Sequence, residues 1–152
     1  MSTRVDVKTL LAAAQRVRKS AYAPYSRFRV GAAVLTREGD VFTGCNVENA
    51  TYGATLCAER AAVAAMVAAG QLSPIACAVV TGARPPAPPC GICRQVLAEF
   101  AGAGLALILA SEDEGGRIVA RKTSKLGALF PGAFRLAVGG GHRPRPSGPG
   151  PR

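Results

Sequence analysis

The chain has no tryptophan, one histidine, only 5% aromatic residues and 9 acidic side chains against 19 basic ones. No apolar stretch approaches the roughly 20 residues needed to cross a bilayer, and the N-terminus lacks the basic head, apolar core and small-residue cleavage site of an export signal. A cytosolic protein, with no membrane partner, is the expectation. The scarcity of aromatics bears on the net charge of +10. Residues 1–140 carry 16 Lys and Arg against 9 Asp and Glu, or +7, and these cations are scattered apart from short clusters such as Arg16, Arg18, Lys19 and Arg121, Lys122, Lys125. No aromatic run interleaves them as stacking platforms for nucleic acid would. A solvated basic surface is therefore expected, with nucleic acid not a partner. There is no internal repeat, and Gly139-Gly140-Gly141 lacks the strand-to-helix context of a phosphate loop.

What the chain does contain is five cysteines, Cys45, Cys57, Cys77, Cys90 and Cys93. An odd number without an export signal argues against a disulfide framework and for thiol or metal chemistry. Cys45 and Cys77 stand alone in apolar surroundings and read as small core residues.

With 49% apolar residues in 152, the chain suffices for one domain that buries roughly 70% of its unfolded surface. Val7, Leu10, Leu11, Ala14 and Val17 recur at helical spacing, so a helix is predicted over 5–20, with Asp6 in its first turn. Residues 29–36 and 41–47 are β-prone and joined by Arg37-Glu38-Gly39-Asp40, which predicts a hairpin. A polar loop follows from Glu48 to Thr55, then an Ala-rich helix over 56–69 closed by Gly70. Residues 75–81 form a buried-type strand, Pro85 to Pro89 a stiff loop, and 91–101 a second such helix. Strands at 105–110 and 117–120 are joined by six polar residues, Ser111 to Gly116, too few for a parallel crossover, so that pair should be antiparallel. A last helix is expected over 122–130. The implied architecture is α/β: one mixed sheet with helices packed on its faces. A catalytic domain over 1–138 would be followed by a Gly/Pro/Arg-rich tail over 139–152 that cannot bury a core and is expected to be disordered.

Chemistry concentrates in Cys57-Ala58-Glu59-Arg60 and Pro89-Cys90-Gly91-Ile92-Cys93, each opening a predicted helix. Zinc takes thiolate or imidazole ligands in a tetrahedron, and catalytic sites leave one position for water. Three cysteines with no local fourth ligand fit that pattern. Free N–H groups and the partial positive charge of helix starts stabilise thiolates. Arg60 and Arg94 are placed to offset the excess negative charge of three thiolates on a divalent cation. A closed structural site would need His142, Cys45 or Cys77 as fourth ligand, and has no use for a carboxylate at Glu59.

C-x-E followed by P-C-x-x-C is the signature of zinc deaminases acting on nucleobases. With Cys57 as first ligand the chain resembles the small, homotetrameric, zinc-dependent cytidine deaminases. The resemblance extends through Tyr22-Ala-Pro-Tyr-Ser-Arg-Phe-Arg-Val-Gly-Ala-Ala33, Gly44-Cys-Asn-Val-Glu-Asn49, Pro89-Cys-Gly-Ile-Cys-Arg-Gln95 and Phe130-Pro-Gly-Ala-Phe134. It implies a three-layer α/β/α cytidine deaminase-like fold on a five-stranded mixed sheet with an antiparallel final hairpin. It implies one Zn2+ per subunit held by Cys57, Cys90 and Cys93, and hydrolysis of cytidine and deoxycytidine by zinc-activated water with Glu59 as proton shuttle. Asn46 and Glu48 would hold the ribose and Phe28 would pack on the pyrimidine. The Ala58 N–H and the Pro88 carbonyl would orient the base, and Tyr52 would line the substrate site. Phe134 would reach into a neighbour's active site in a homotetramer with shared sites. Deaminases that edit polynucleotides usually carry a His first ligand and a helix between their last two strands, neither of which is read here. A deaminase of a nucleoside antibiotic and a noncatalytic zinc module are the remaining rivals.

Overall fold

A computed structural model describes residues 6–136. The tail expected over 139–152 and the limits of the domain expected over 1–138 lie outside these residues. Asp6 begins α1 (Val7–Arg18) as an N-cap whose carboxylate accepts from the Lys8 and Thr9 amides, so it lies one residue ahead of the first turn expected for it. Strand β1 (Gly31–Thr36) turns through Gly39 (φ 95°) into β2 (Val41–Cys45). A single 3₁₀ turn (Tyr52–Ala54) interrupts the loop before α2 (Ala58–Ala68). Then come β3 (Pro74–Thr81), α3 (Gly91–Phe100), β4 (Ala106–Glu112), β5 (Ile118–Lys125) and the short α4 (Leu126–Leu129).

The strands form one five-stranded sheet in the order β2-β1-β3-β4-β5. Only β3 and β4 run parallel, with α3 as their crossover, while the β4–β5 hairpin is antiparallel as expected. The central strands are buried on both faces, and their alternation sorts two cores. Ala33, Leu35, Ala76, Ala78, Val80 and Ile108 face Leu10, Leu11 and Ala14 of α1. Ala32, Val34, Cys77, Val79, Leu107 and Leu109 face Ala58, Ala62, Met66 and Leu97 of α2 and α3. The result is the three-layer α/β/α arrangement. Cys77 is wholly buried, as its surroundings suggested, whereas Cys45 at the end of an edge strand is only half-buried.

Two expectations fail near the C-terminus. Ser111 and Glu112 belong to β4 and are buried, so the hairpin loop is shorter than the polar run suggested. Lys122 to Lys125, expected to start a helix, extend β5 instead, with Lys122 opposite Leu109 and Lys125 opposite Ala106. This edge strand is largely exposed and polar, so it lacks the hydrophobic alternation by which a strand is recognised; its ladder with β4 and its lysines suit an edge.

Helix α2 lies directly on β2. A Cβ at Gly44 would fall 2.4 Å from the Ala58 carbonyl oxygen and 2.4 Å from the Ala62 nitrogen, both helix backbone. Gly44→Ala should therefore lower stability by about 1–3 kcal/mol, typical of overpacking, in urea unfolding. An unchanged midpoint would show that α2 does not rest on this contact.

Candidate metal and substrate site

Cys57 and Cys90 are the N-cap residues of α2 and α3, and neither side chain caps its own helix. Cys93 lies in the first turn of α3. This brings the sulfurs of Cys57, Cys90 and Cys93 within 4.8 Å of one another, with Cys57 Sγ and Cys90 Sγ 3.8 Å apart. The Cys57 thiol is held down to about 5, chiefly by a hydrogen bond from the Cys93 thiol and further by Arg60. Cys93 is pushed up, first because it donates that bond and then by burial. A divalent cation among the sulfurs would favour the thiolate at all three, because its charge would be the largest nearby.

Arg60 sits where its charge was expected to act, with its guanidinium 3.7 Å from Cys57 Sγ and 2.7 Å from the Thr55 carbonyl oxygen. Its Nε is buried without a hydrogen-bond partner. Arg94 does something different from what was expected. It donates to the Pro89 carbonyl (2.7 Å) and the Leu129 carbonyl (2.7 Å), tying the loop before Cys90 to α4. Three clustered soft donors beside the half-buried Arg60 guanidinium fit zinc.

Glu59, in the first turn of α2, is 5% exposed. Burial pushes its carboxyl up, and the neighbouring Cys57 adds to the effect. Ala58 is fully buried at the first helical position, where a backbone N–H has no intrahelical acceptor. Pro88 is exposed two residues before Cys90.

A second group forms around the loop after β2. Asn46, 8% exposed, donates from Nδ2 to the Phe28 carbonyl (2.8 Å) and accepts at Oδ1 from the Val30 amide (2.8 Å). Glu48 accepts from the Tyr25 and Ser26 amides at 2.9 and 3.2 Å and from the Ser26 hydroxyl. The hydroxyl bond is the largest influence holding its carboxyl below the usual range. Tyr25, Ser26, Glu48, Asn49, Tyr52 and Thr55 line an open cleft of about 330 Å³, in which the Tyr25 and Tyr52 rings meet edge to face at 6.0 Å. Thr55 links the two groups, since its carbonyl is held by the same guanidinium that touches Cys57. Phe28, Tyr52 and Phe134 are 42%, 77% and 70% exposed. Phe134 is thus not part of this chain's core; its carbonyl oxygen accepts from Gln95 Nε2 at 2.9 Å. The role of Ser26 in holding Glu48 is not visible in the sequence, because a serine beside a tyrosine in a loop carries no spacing signal for a residue 22 positions away.

Fold and site together define a zinc-site enzyme of the deaminase class. Residues 5–107 match the pattern describing the cytidine and deoxycytidylate deaminase zinc-binding region, and the chain belongs to that family. It is 43% identical over 130 residues to the cytidine deaminase of Sporosarcina psychrophila, covering 86% of this chain and 92% of the relative. It is 46% identical over 132 residues to the cytidine deaminase of Mycobacterium tuberculosis, covering 87% and 92%. The crystal structure of cytidine deaminase from Burkholderia pseudomallei superposes with a TM-score of 0.78 at 42% identity, covering 86% of this chain and all of the other.

Cys57→Ala, Cys90→Ala and Cys93→Ala should each lower bound zinc, because two remaining protein ligands hold the ion poorly. Cys45→Ala and Cys77→Ala should keep it. Metal analysis showing the reverse pattern would reassign the ligands.

Proposed function

We infer that the chain hydrolyses cytidine and deoxycytidine to uridine and deoxyuridine with release of ammonia, as in pyrimidine salvage. The observation that carries this reading is a buried carboxyl, Glu59, set two residues from Cys57 beside three sulfurs that can hold a metal ion. Cys57, Cys90 and Cys93 would hold zinc, which would supply the Lewis acidity that lets water act as the nucleophile near neutral pH. Glu59 takes the proton from the attacking water and delivers it to ring N3. It then carries the second water proton to the amine leaving C4, so that cytidine and water become uridine and ammonia. A carboxyl whose ionised form is destabilised by burial suits a group that must take up a proton and return it. The Ala58 N–H and the Pro88 carbonyl orient the base.

The sugar falls to Asn46 and Glu48, while Phe28 packs against the pyrimidine. Glu48 stays ionised beside the Ser26 hydroxyl and can accept from a ribose hydroxyl. Asn46 spends one N–H and one lone pair on the backbone of residues 28–30, which leaves one of each for the ribose. A ligand lacking the sugar would leave those groups unpaired, which favours nucleoside over free base. The antiparallel β4–β5 hairpin and the Cys57 ligand favour this reading over deamination of a polynucleotide. We further propose a cytoplasmic homotetramer in which Phe134 completes a neighbour's site, while Tyr52 lines the cleft of its own chain. The support is that the Phe134 ring is 70% exposed on the isolated chain. No helix among the described residues is long and apolar enough to cross a membrane.

Glu59→Gln should retain zinc and fold yet lose at least the ~10²–10⁴ typical of general acid–base catalysis. Near wild-type ammonia release from cytidine by that variant would refute the proton-shuttle role. The same variant tests the shared site when its subunits are reassembled with Phe134→Ala subunits. Mixed assemblies should exceed the activity of either parent, because some interfaces unite an intact Glu59 with an intact Phe134. Activity no greater than the weighted sum of the parents, in assemblies verified as mixed, would confine Phe134 to its own subunit.

A further inference from the structure

Phe28 and Asn46 belong to adjoining segments held partly by backbone pairing, with the Asn46 amide donating to the Val30 carbonyl at 3.2 Å and the Tyr22 amide donating to the Asn46 carbonyl at 3.0 Å, and partly by side chains. Asn46 grips the Phe28 carbonyl and the Val30 amide, leaving the Arg29 peptide between them. Just upstream, Arg27 sits at φ 58°, a left-handed conformation that a non-glycine residue keeps only where surrounding contacts enforce it. The Arg27 amide is tied to the Ala23 carbonyl at 3.0 Å, and a contact two residues downstream comes from α1, on the face of the sheet opposite α2 and α3. Arg18 Nε donates to the Arg29 carbonyl at 3.0 Å. The same guanidinium is fixed from behind, for its NH1 pairs with Glu112 at 2.8 Å, and the Glu112 side chain is 5% exposed. Two glycines make room: a Cβ at Gly31 would lie 2.7 Å from the Arg18 Cβ, and one at Gly82 would lie 3.2 Å from its NH2.

We propose that Arg18, oriented by Glu112, is a positioning residue for nucleoside binding: through the Arg29 carbonyl it fixes the segment from which Phe28 and Asn46 meet the sugar and base. The inference rests on the assignment of these two residues to substrate. It requires arginine in particular, because a lysine at this position could meet the Glu112 carboxylate but offers no second, rigidly angled donor to the Arg29 carbonyl. Glu112 acts only through Arg18, so a neutral side chain that still accepts from the guanidinium preserves the arrangement. Arg18 touches neither metal ligands nor Glu59 in this arrangement, so its loss should weaken substrate capture and leave the proton shuttle in place.

The test measures cytidine deamination, uridine affinity at equilibrium and zinc content for the wild-type protein and three variants. Arg18→Met leaves Glu112 buried without its partner and could fail to fold. Arg18→Met/Glu112→Leu removes both charges, a replacement that buried pairs often tolerate, while still lacking the bond to Arg29. In the double variant KM for cytidine should rise roughly tenfold, the loss expected for one hydrogen bond from a charged donor, and uridine binding should weaken in parallel. Its kcat and zinc content should stay near wild type, and Glu112→Gln, which keeps Arg18 and an acceptor for it, should have a KM within about twofold of wild type. A folded, zinc-loaded, active double variant with wild-type KM would overturn the inference alone. So would a fall in kcat at unchanged KM. A wild-type protein that does not deaminate cytidine would instead remove the reading on which the inference rests.

Discussion

Everything at the site depends on two helices starting at one point in space. The sulfurs of Cys57, Cys90 and Cys93 lie within 4.8 Å of one another because α2 and α3 begin side by side on the same face of the sheet. Each start is anchored separately. Gly44 lets α2 lie against β2, and Arg94 ties the Pro89 carbonyl before α3 to the Leu129 carbonyl of α4. Converging helix starts also supply the electrostatics, since unpaired N–H groups and the positive ends of the dipoles favour anionic sulfur. Arg60 adds a full charge next to Cys57. Glu59 inherits its place from this arrangement, one position further into α2 than the buried Ala58 and in low-dielectric surroundings that raise its carboxyl.

The sugar side is organised differently. It is made of loops, and loops hold a shape through side-chain bonds to backbone rather than through a regular ladder. Asn46 clamps residues 28–30, Glu48 gathers the Tyr25 and Ser26 amides, and Arg18 reaches the same stretch from the far face of the sheet. Arg60 couples this region to the sulfur cluster by holding the Thr55 carbonyl. The two halves of the site are therefore bound together by a cation that touches both.

The metal cluster was legible in the sequence because its members fall in two short motifs 33 positions apart, Cys57-Ala58-Glu59 and Cys90-Gly91-Ile92-Cys93, each at a helix start where residue type and spacing carry the chemistry. The central strands were legible for a related reason, as continuous burial leaves apolar runs such as Ile75 to Val80. What escaped depends on contacts between distant segments. Lys122 to Lys125 read as a helix because an exposed edge strand has no apolar face to declare itself, and its pairing with β4 overrode local preference. Arg94 read as a counter-charge because sequence gives the neighbourhood of a guanidinium and not its direction; it serves backbone carbonyls instead. Arg18 and Glu112 lie 94 positions apart, and no local pattern joins them.

The central claim is that a zinc ion here has three protein thiolates and one position left open for chemistry. X-ray absorption at the zinc edge on the loaded, full-length protein tests this without reference to turnover. The account predicts about three sulfur neighbours near ~2.3 Å and one light oxygen or nitrogen neighbour near ~2.0 Å without the outer-shell scattering of an imidazole. Four sulfurs, or three with an imidazole that disappears in a His142→Ala variant, would mean a closed structural centre and would contradict it.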